Sequence, residues 1–224
     1  LYDRGYNVLI LRMPYHGLAS GSVGELRYAT PEIMRDYADD AIDIAAGLGD
    51  EVDVVGLSVG GSVASWIAQN RPDVTRVMSI SPMYGIGRLP KFVDYLLLNF
   101  ASRAPNMSLT APSEPQREHV YRGQSTKGVA NAMLFGKSLF EQAAAGGTAV
   151  SNIIVITNDN DTTVNNRRTD ELTDLWQAAG AAPVRFVFAK ELGYPHNSID
   201  RTSNPQADAV YATMLELLGE APQE

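Results

Sequence analysis

The chain has 224 residues, of which 45% are hydrophobic, and this is enough for one globular domain with a large core. It contains no cysteine, which excludes disulfides, thiolate metal sites and a cysteine nucleophile. The net charge of −8 argues against nucleic acid or an anionic membrane as the main partner, and three histidines argue against a histidine-rich metal site.

Apolar, β-branched runs alternate with helix-like stretches through most of the sequence. This alternation predicts an α/β fold with a mostly parallel sheet and helices on both faces. No run reaches the roughly 20 apolar residues that a membrane-spanning helix needs. The predicted strands are residues 7–12, 52–57, 74–80, 152–157 and 183–188, and the predicted helices are residues 31–47, 59–70, 128–145, 166–179 and 204–218.

The first predicted helix has a recognisable start and a strongly acidic face. Thr30 is a good capping residue, and Pro31 suits the first helical position. Four aspartates of this helix fall on its outer face, and we interpret them as a solvated surface rather than a metal cluster: Asp36, Asp39, Asp40 and Asp43.

The most informative pattern is Gly-x-Ser-x-Gly, formed by Gly56, Ser58 and Gly60. It follows the apolar run 52–55 and precedes the helix-like stretch 61–69, so strand, sharp turn and helix succeed one another. In that context the pattern predicts a nucleophile elbow, with the serine hydroxyl exposed at the apex of a strained turn. We expect a side chain at either flanking glycine to collide with the adjoining strand or helix.

Two other interpretations of the same pattern are available. A capping serine at an ordinary strand-to-helix turn would also fit, and 19 glycines make a chance match less rare. A dinucleotide-binding loop is disfavoured, because the glycines do not form Gly-x-Gly-x-x-Gly. A downstream acid and histidine would favour the elbow.

His196 is the histidine placed to act as a general base. It follows the predicted strand 183–188, within the sequence Pro-His-Asn, and would exchange a proton with Ser58. We interpret His16, in a loop near the N-terminus, as structural. His119 lies in a proline-rich polar stretch, where we expect it to be solvated.

The acid of a Ser-His-Asp triad is expected in the loop after the strand 152–157. Asp159 and Asp161 both lie there, so the order along the chain is serine, acid, histidine. We favour Asp161, because Val164 follows it by three residues and can pack beneath the loop. Asp161 would orient His196 and stabilise its cation.

With these residues assembled, the chain resembles the α/β-hydrolase family of serine esterases and lipases over nearly its whole length. Residues 5–17 look like the fourth strand of that family and its loop, and 56–60 look like the elbow. The resemblance also implies that Asp161 is the acid and that Val59 N–H contributes to the oxyanion hole. No third strand precedes residue 7, so we expect the sequence to be a fragment lacking the N-terminal strands.

Residues 82–127, here called the insertion, interrupt the alternation of strands and helices. By the same resemblance the insertion would form a lid or cap over the serine within a single domain. Five of its residues would then line an acyl pocket: Met83, Tyr84, Phe92, Tyr95 and Leu96. A helix packed on the sheet edge, with its apolar face in the core, fits the same pattern.

The resulting functional hypothesis is a serine hydrolase of small-molecule carboxylic esters that acts through an acyl-enzyme and needs no metal or organic cofactor. A peptidase or amidase with the same triad is one alternative. A non-catalytic ligand-binding protein on the same fold is another. A cytoplasmic location is the working expectation, and the oligomeric state is not determined by the sequence.

Overall fold

A computed structural model describes residues 1–18, 23–87, 90–110 and 123–219, which form alternating strands and helices. The predicted elements from residue 31 onward are confirmed, with bounds within about three residues of those expected. The strands are β1 (Asp53–Leu57), β2 (Arg76–Ile80), β3 (Ser108–Thr110), β4 (Gly123–Ser125), β5 (Asn152–Asn158) and β6 (Val184–Phe188). The helices are α1 (Pro31–Ala46), α2 (Val59–Asn70), α3 (Lys91–Arg103), α4 (Thr126–Gly146), α5 (Asn166–Ala178) and α6 (Ala207–Leu217).

The main sheet has four parallel strands in the order β1-β2-β5-β6. Its central strands are rich in β-branched residues, and residues 153–158 of β5 are all buried. A parallel sheet buried on both faces needs such continuous apolar strands. All four strands therefore end at the same edge, and the loops after them converge there.

Two apolar clusters cover the two faces of this sheet. The larger one joins α1, α2, α4 and α5 to the sheet, with Phe135, Leu139 and Trp176 almost fully buried. The other joins α6 to the opposite face through Val210. The predicted α/β architecture with helices on both faces is thus confirmed.

The insertion consists of α3, the short antiparallel pair β3–β4 and their connections. Helix α3 packs on α4 through Leu98, which contacts Ala130 and Met133 in a small third cluster. Residues 88–89 and 111–122, including His119, lie outside the described residues. Among the described residues, no helix has both the length and the hydropathy that crossing a membrane requires.

The strand predicted at residues 7–12 is wrong for the described structure. These residues form no strand, and β1 is the last strand on that side of the described sheet. A groove of about 540 Å³ lies between residues 5–11 and β1, so the two backbones do not pair. Side chains hold the segment instead: Tyr37 donates a hydrogen bond to the Leu11 carbonyl at 3.1 Å.

Candidate active site

Ser58 occupies a strained turn between β1 and α2. Its φ is 58° and its ψ is −118°, a conformation that non-glycine residues rarely adopt. The turn is tight: a Cβ added to Gly56 would lie 2.1 Å from the Gly60 carbonyl oxygen. The sequence folds this way because only glycine at position 56 lets the first turn of α2 approach β1 so closely.

The expectation about the flanking glycines is confirmed for Gly56 and wrong for Gly60. A Cβ added to Gly60 would meet no atom within 4 Å. The second crowded position is Gly61, whose added Cβ would lie 3.0 Å from the Ile80 carbonyl oxygen and the Pro82 Cα. The turn thus depends on glycine at 56 and 61 rather than at 56 and 60.

Backbone hydrogen bonds hold Ser58 in this conformation. Its N–H donates to the Ile80 carbonyl at 3.0 Å, and its carbonyl accepts from Met83 N–H at 3.0 Å. Among the described residues, the Ser58 hydroxyl has no hydrogen-bond partner. The backbone of Ser58 is therefore fixed, while its hydroxyl is not oriented by a hydrogen bond within the described part of the chain.

Asp161 is buried in the loop after β5. Its Oδ1 accepts hydrogen bonds from Thr163 N–H at 2.8 Å and Val164 N–H at 3.4 Å. Val164 is itself almost fully buried, as its position in the sequence suggested. Asp159, the other candidate acid, is exposed.

His196 lies directly against Asp161. Its Nδ1 is 2.6 Å from Asp161 Oδ2, so Nδ1–H donates a hydrogen bond to the carboxylate, and Nε2 of the neutral imidazole is then an acceptor. The His196 side chain is 16% exposed, whereas that of Asp161 is fully covered. Burial on its own would raise the pKa of Asp161, but His196 and the two loop amides together lower it, which keeps the carboxylate ionised.

The three triad candidates all follow strands at the carboxyl edge of the sheet: Ser58 after β1, Asp161 after β5 and His196 after β6. Only β2 separates β1 from β5, so their backbones are about 10 Å apart. Among the described residues, no hydrogen bond joins Ser58 to His196, so the complete triad stays a prediction.

Val59 stays a predicted contributor to an oxyanion hole. It is the first residue of α2, directly after Ser58, and the first N–H groups of a helix have no acceptor within it. The positive end of the helix dipole adds to the attraction for a developing oxyanion. Gly61 brings the start of this helix close to the end of β2.

The five predicted pocket residues do not share one environment. Tyr84 is buried in the main core, where its hydroxyl contacts Ser65 Oγ. Met83 packs beside the Leu98 cluster. Phe92 and Leu96 are 71% and 68% exposed on α3, and the Tyr95 side chain lies outside the described part. A shared acyl pocket stays a prediction.

His16 and two aspartates of α1 make polar contacts of their own. His16 Nδ1 is 3.0 Å from the Pro14 carbonyl, a local contact that suits a structural role. On α1, Asp39 and Asp43 form ion pairs with Arg71 at 3.0 and 2.6 Å. Within residues 1–18, 23–87, 90–110 and 123–219, no group of His, Asp or Glu side chains could hold a metal ion.

Sequence reasoning missed the residues that join the acid loop to the histidine loop. Asn158 and Asn160 both donate side-chain hydrogen bonds to the Tyr194 carbonyl, at 2.9 and 3.0 Å. The available signal was the cluster Asn-Asp-Asn-Asp at 158–161, which is typical of a turn. Nothing in that cluster indicates a hydrogen-bond partner more than 30 residues away in the chain.

Comparisons with known proteins give a structural likeness only. No model of a protein family matches the chain, and no curated protein matches it. A monoacylglycerol lipase of Paleococcus ferrophilus is 16% identical with a TM-score of 0.62, over 86% of this chain and 76% of that chain. A soluble variant of the Saccharomyces cerevisiae monoglyceride lipase is 13% identical with a TM-score of 0.63, over 88% and 71%.

An acylaminoacyl peptidase of Pyrococcus horikoshii is also similar, with 12% identity and a TM-score of 0.54, over 89% of this chain and 30% of that chain. At these identities the likeness establishes architecture rather than activity. The sheet order, the serine turn and the likeness to these enzymes lead to one conclusion: the chain has the α/β-hydrolase fold.

Proposed function

We propose that the chain is a serine hydrolase that cleaves uncharged carboxylic esters. The observation that carries this proposal is a buried, ionised Asp161 bonded to His196 at the same sheet edge as a serine with positive φ. A structural turn has no need for a strained serine, nor for an imidazole oriented by a buried carboxylate. By the resemblance, α3 would form part of a lid over the serine, and its exposed apolar side chains Phe92 and Leu96 would then favour a substrate without charge.

In the proposed mechanism, Ser58 Oγ attacks the acyl carbon and His196 Nε2 accepts the hydroxyl proton. Asp161 stabilises the resulting imidazolium, and Val59 N–H donates to the oxyanion. The carbon–oxygen bond to the alcohol breaks as His196 returns the proton to the alcohol. Water then attacks the acyl-enzyme with His196 as base, which releases the acid and restores Ser58.

The test combines hydrolysis of a short and a long p-nitrophenyl ester with labelling by a fluorophosphonate. Ser58→Ala should abolish labelling and lower turnover by about 10⁶-fold where the triad is intact. Ser138→Ala is the matched control and should keep both, because this half-buried serine of α4 makes a local hydrogen bond to the Phe135 carbonyl. Labelling that survives in Ser58→Ala would contradict the proposal.

The same triad would also cleave an amide, so the substrate set includes an acylated amino-acid p-nitroanilide. Faster turnover of the anilide than of either ester would favour a peptidase or amidase. A folded wild-type chain that takes no label would favour a non-catalytic binding protein. Both results would replace the esterase proposal.

A further inference from the structure

Asn158 is the last residue of β5, and it lies between the acid loop and the histidine loop. It is 1% exposed. Its backbone carbonyl accepts a hydrogen bond from Asp161 N–H at 3.0 Å, closing the turn that carries the acid. This bond therefore fixes the turn from which the Asp161 side chain extends.

The Asn158 side chain reaches the loop that carries His196. Its Nδ2 donates to the Tyr194 carbonyl at 2.9 Å and to the Pro195 carbonyl at 3.3 Å. The Pro195 carbonyl belongs to the peptide bond that joins Pro195 to His196. One carboxamide thus holds the peptide immediately before the imidazole.

The remaining acceptor of this carboxamide is also used. Its Oδ1 accepts from Asn160 N–H at 3.0 Å, which fixes the orientation of the amide group. Because the group is buried, water cannot replace the bonds to the two carbonyls if the donor is lost. The separation of Asp161 and His196, 35 residues apart in the chain, therefore depends on a side chain that touches neither of their reacting atoms.

We propose that Asn158 is a positioning residue for His196: its carboxamide sets the imidazole against Asp161 before substrate arrives. This inference rests on the proposed function, since orientation matters only if His196 acts as a base. Displacement of a catalytic group by about 1 Å costs roughly 10²-fold in rate. We expect a loss of this size in kcat with KM little changed.

The experiment compares Asn158→Ser and Asn158→Asp with the control variant Gln69→Ser. Gln69 is also buried, and its Nε2 donates to a distant carbonyl (Leu139, at 3.0 Å), but it joins α2 to α4 and contacts neither the acid loop nor the histidine loop. Its loss should cost similar stability without moving the bond between His196 and Asp161. Thermal unfolding reports whether each variant is folded.

The decisive readout is the downfield proton resonance of His196 Nδ1–H, assigned by its absence in His196→Gln. It reports the short bond to Asp161 directly and needs no catalysis, so failure of the proposed function would not hide it. We expect both Asn158 variants to shift this resonance upfield or lose it, with kcat lowered about 10²-fold. Gln69→Ser should leave the resonance in place.

An unchanged resonance and an unchanged kcat in a folded Asn158 variant would overturn the inference. If neither Asn158 variant folds, Asn160→Ser becomes the test, because it removes the second bond to the Tyr194 carbonyl. A smaller change in the same direction would support the inference. The wild-type resonance and rate in Asn160→Ser would overturn it.

Discussion

Asp161 and His196 follow adjacent strands and are joined by hydrogen bonds, whereas Ser58 follows the outermost strand of the described sheet on the other side of β2. On the acid side, side-chain amides and loop N–H groups fix each group. On the serine side, a glycine-dependent turn and backbone hydrogen bonds fix the backbone, and no side-chain hydrogen bond to Ser58 takes part among the described residues. Side-chain polar contacts orient one half of the candidate site, whereas the other half depends on close packing at glycine, so different substitutions should disrupt them.

The largest expected effect tests the polar half. Asp161→Asn keeps the shape of the side chain but removes the charge that orients and stabilises His196, and turnover should fall by about 10⁴-fold. The matched substitution Asp159→Asn, at an exposed position two residues earlier, should leave turnover nearly unchanged. Ester hydrolysis measures both, and equal losses in the two variants would contradict the choice of Asp161.

A second pair of substitutions compares the interior of the sheet with its open side. Ile154→Ala, in the fully buried part of β5, should lower the free energy of unfolding by about 2–5 kcal/mol. Ile10→Ala removes the same atoms from a side chain that is 88% exposed, and should change the free energy of unfolding by less than about 0.5 kcal/mol. Urea denaturation measures both, and a large effect at Ile10 would mean that this segment is more tightly packed than described.

The steric half is tested at its two glycines. Gly56→Ala places a Cβ against the Gly60 carbonyl and should destabilise the fold by about 1–3 kcal/mol or more, with loss of fluorophosphonate labelling. Gly60→Ala meets open space and replaces glycine in the first turn of α2, so stability should hold or rise slightly. Thermal unfolding compares them; equal destabilisation would show that the turn is not limited by contact at position 56.

The smallest effect concerns acid stability. The pKa of Asp161 is lowered in the folded state, so its ionisation stabilises the fold above its unfolded pKa of about 3.9. That contribution is lost as the pH falls through the lower, folded value. The difference in unfolding free energy between wild type and Asp161→Asn should therefore be largest at neutral pH and shrink below about pH 4. A difference that stays constant across this range would contradict the lowered pKa.

The sequence predicts most of this architecture because each element carries its own local signal. The run Val-Asp-Val-Val before Gly56 and the strand before Asn158 are β-branched, and Thr30 with Pro31 starts α1 as expected. Residues 7–12 have the same local preference and yet form no strand, because a strand also needs a partner within hydrogen-bond reach. Propensity is local, but pairing is not.

The candidate site also contains residues that stand out in the sequence and residues that do not. Ser58, Asp161 and His196 stand out because a triad needs those residue types, and because the resembled family has them in this order along the chain. Tyr84 was expected in a pocket but lies in the core, since an aromatic side chain with a hydroxyl suits either place. The sequence does not point to Asn158, because its side chain bonds to backbone carbonyls 36 and 37 residues away. Every residue type has a backbone carbonyl, so the residues at those two positions carry no signal of this contact.

Within the described part of the chain, the outer edge of β1 has no partner strand, and such an edge bears on self-association. An unpaired strand edge offers N–H and C=O groups to any other extended segment, and self-association usually begins at such edges. Because β1 leads directly into Ser58, a foreign strand that added there would attach to the element that carries the serine. Specific activity should then fall as protein concentration rises, and charged residues on that edge should restore it by keeping the molecules apart.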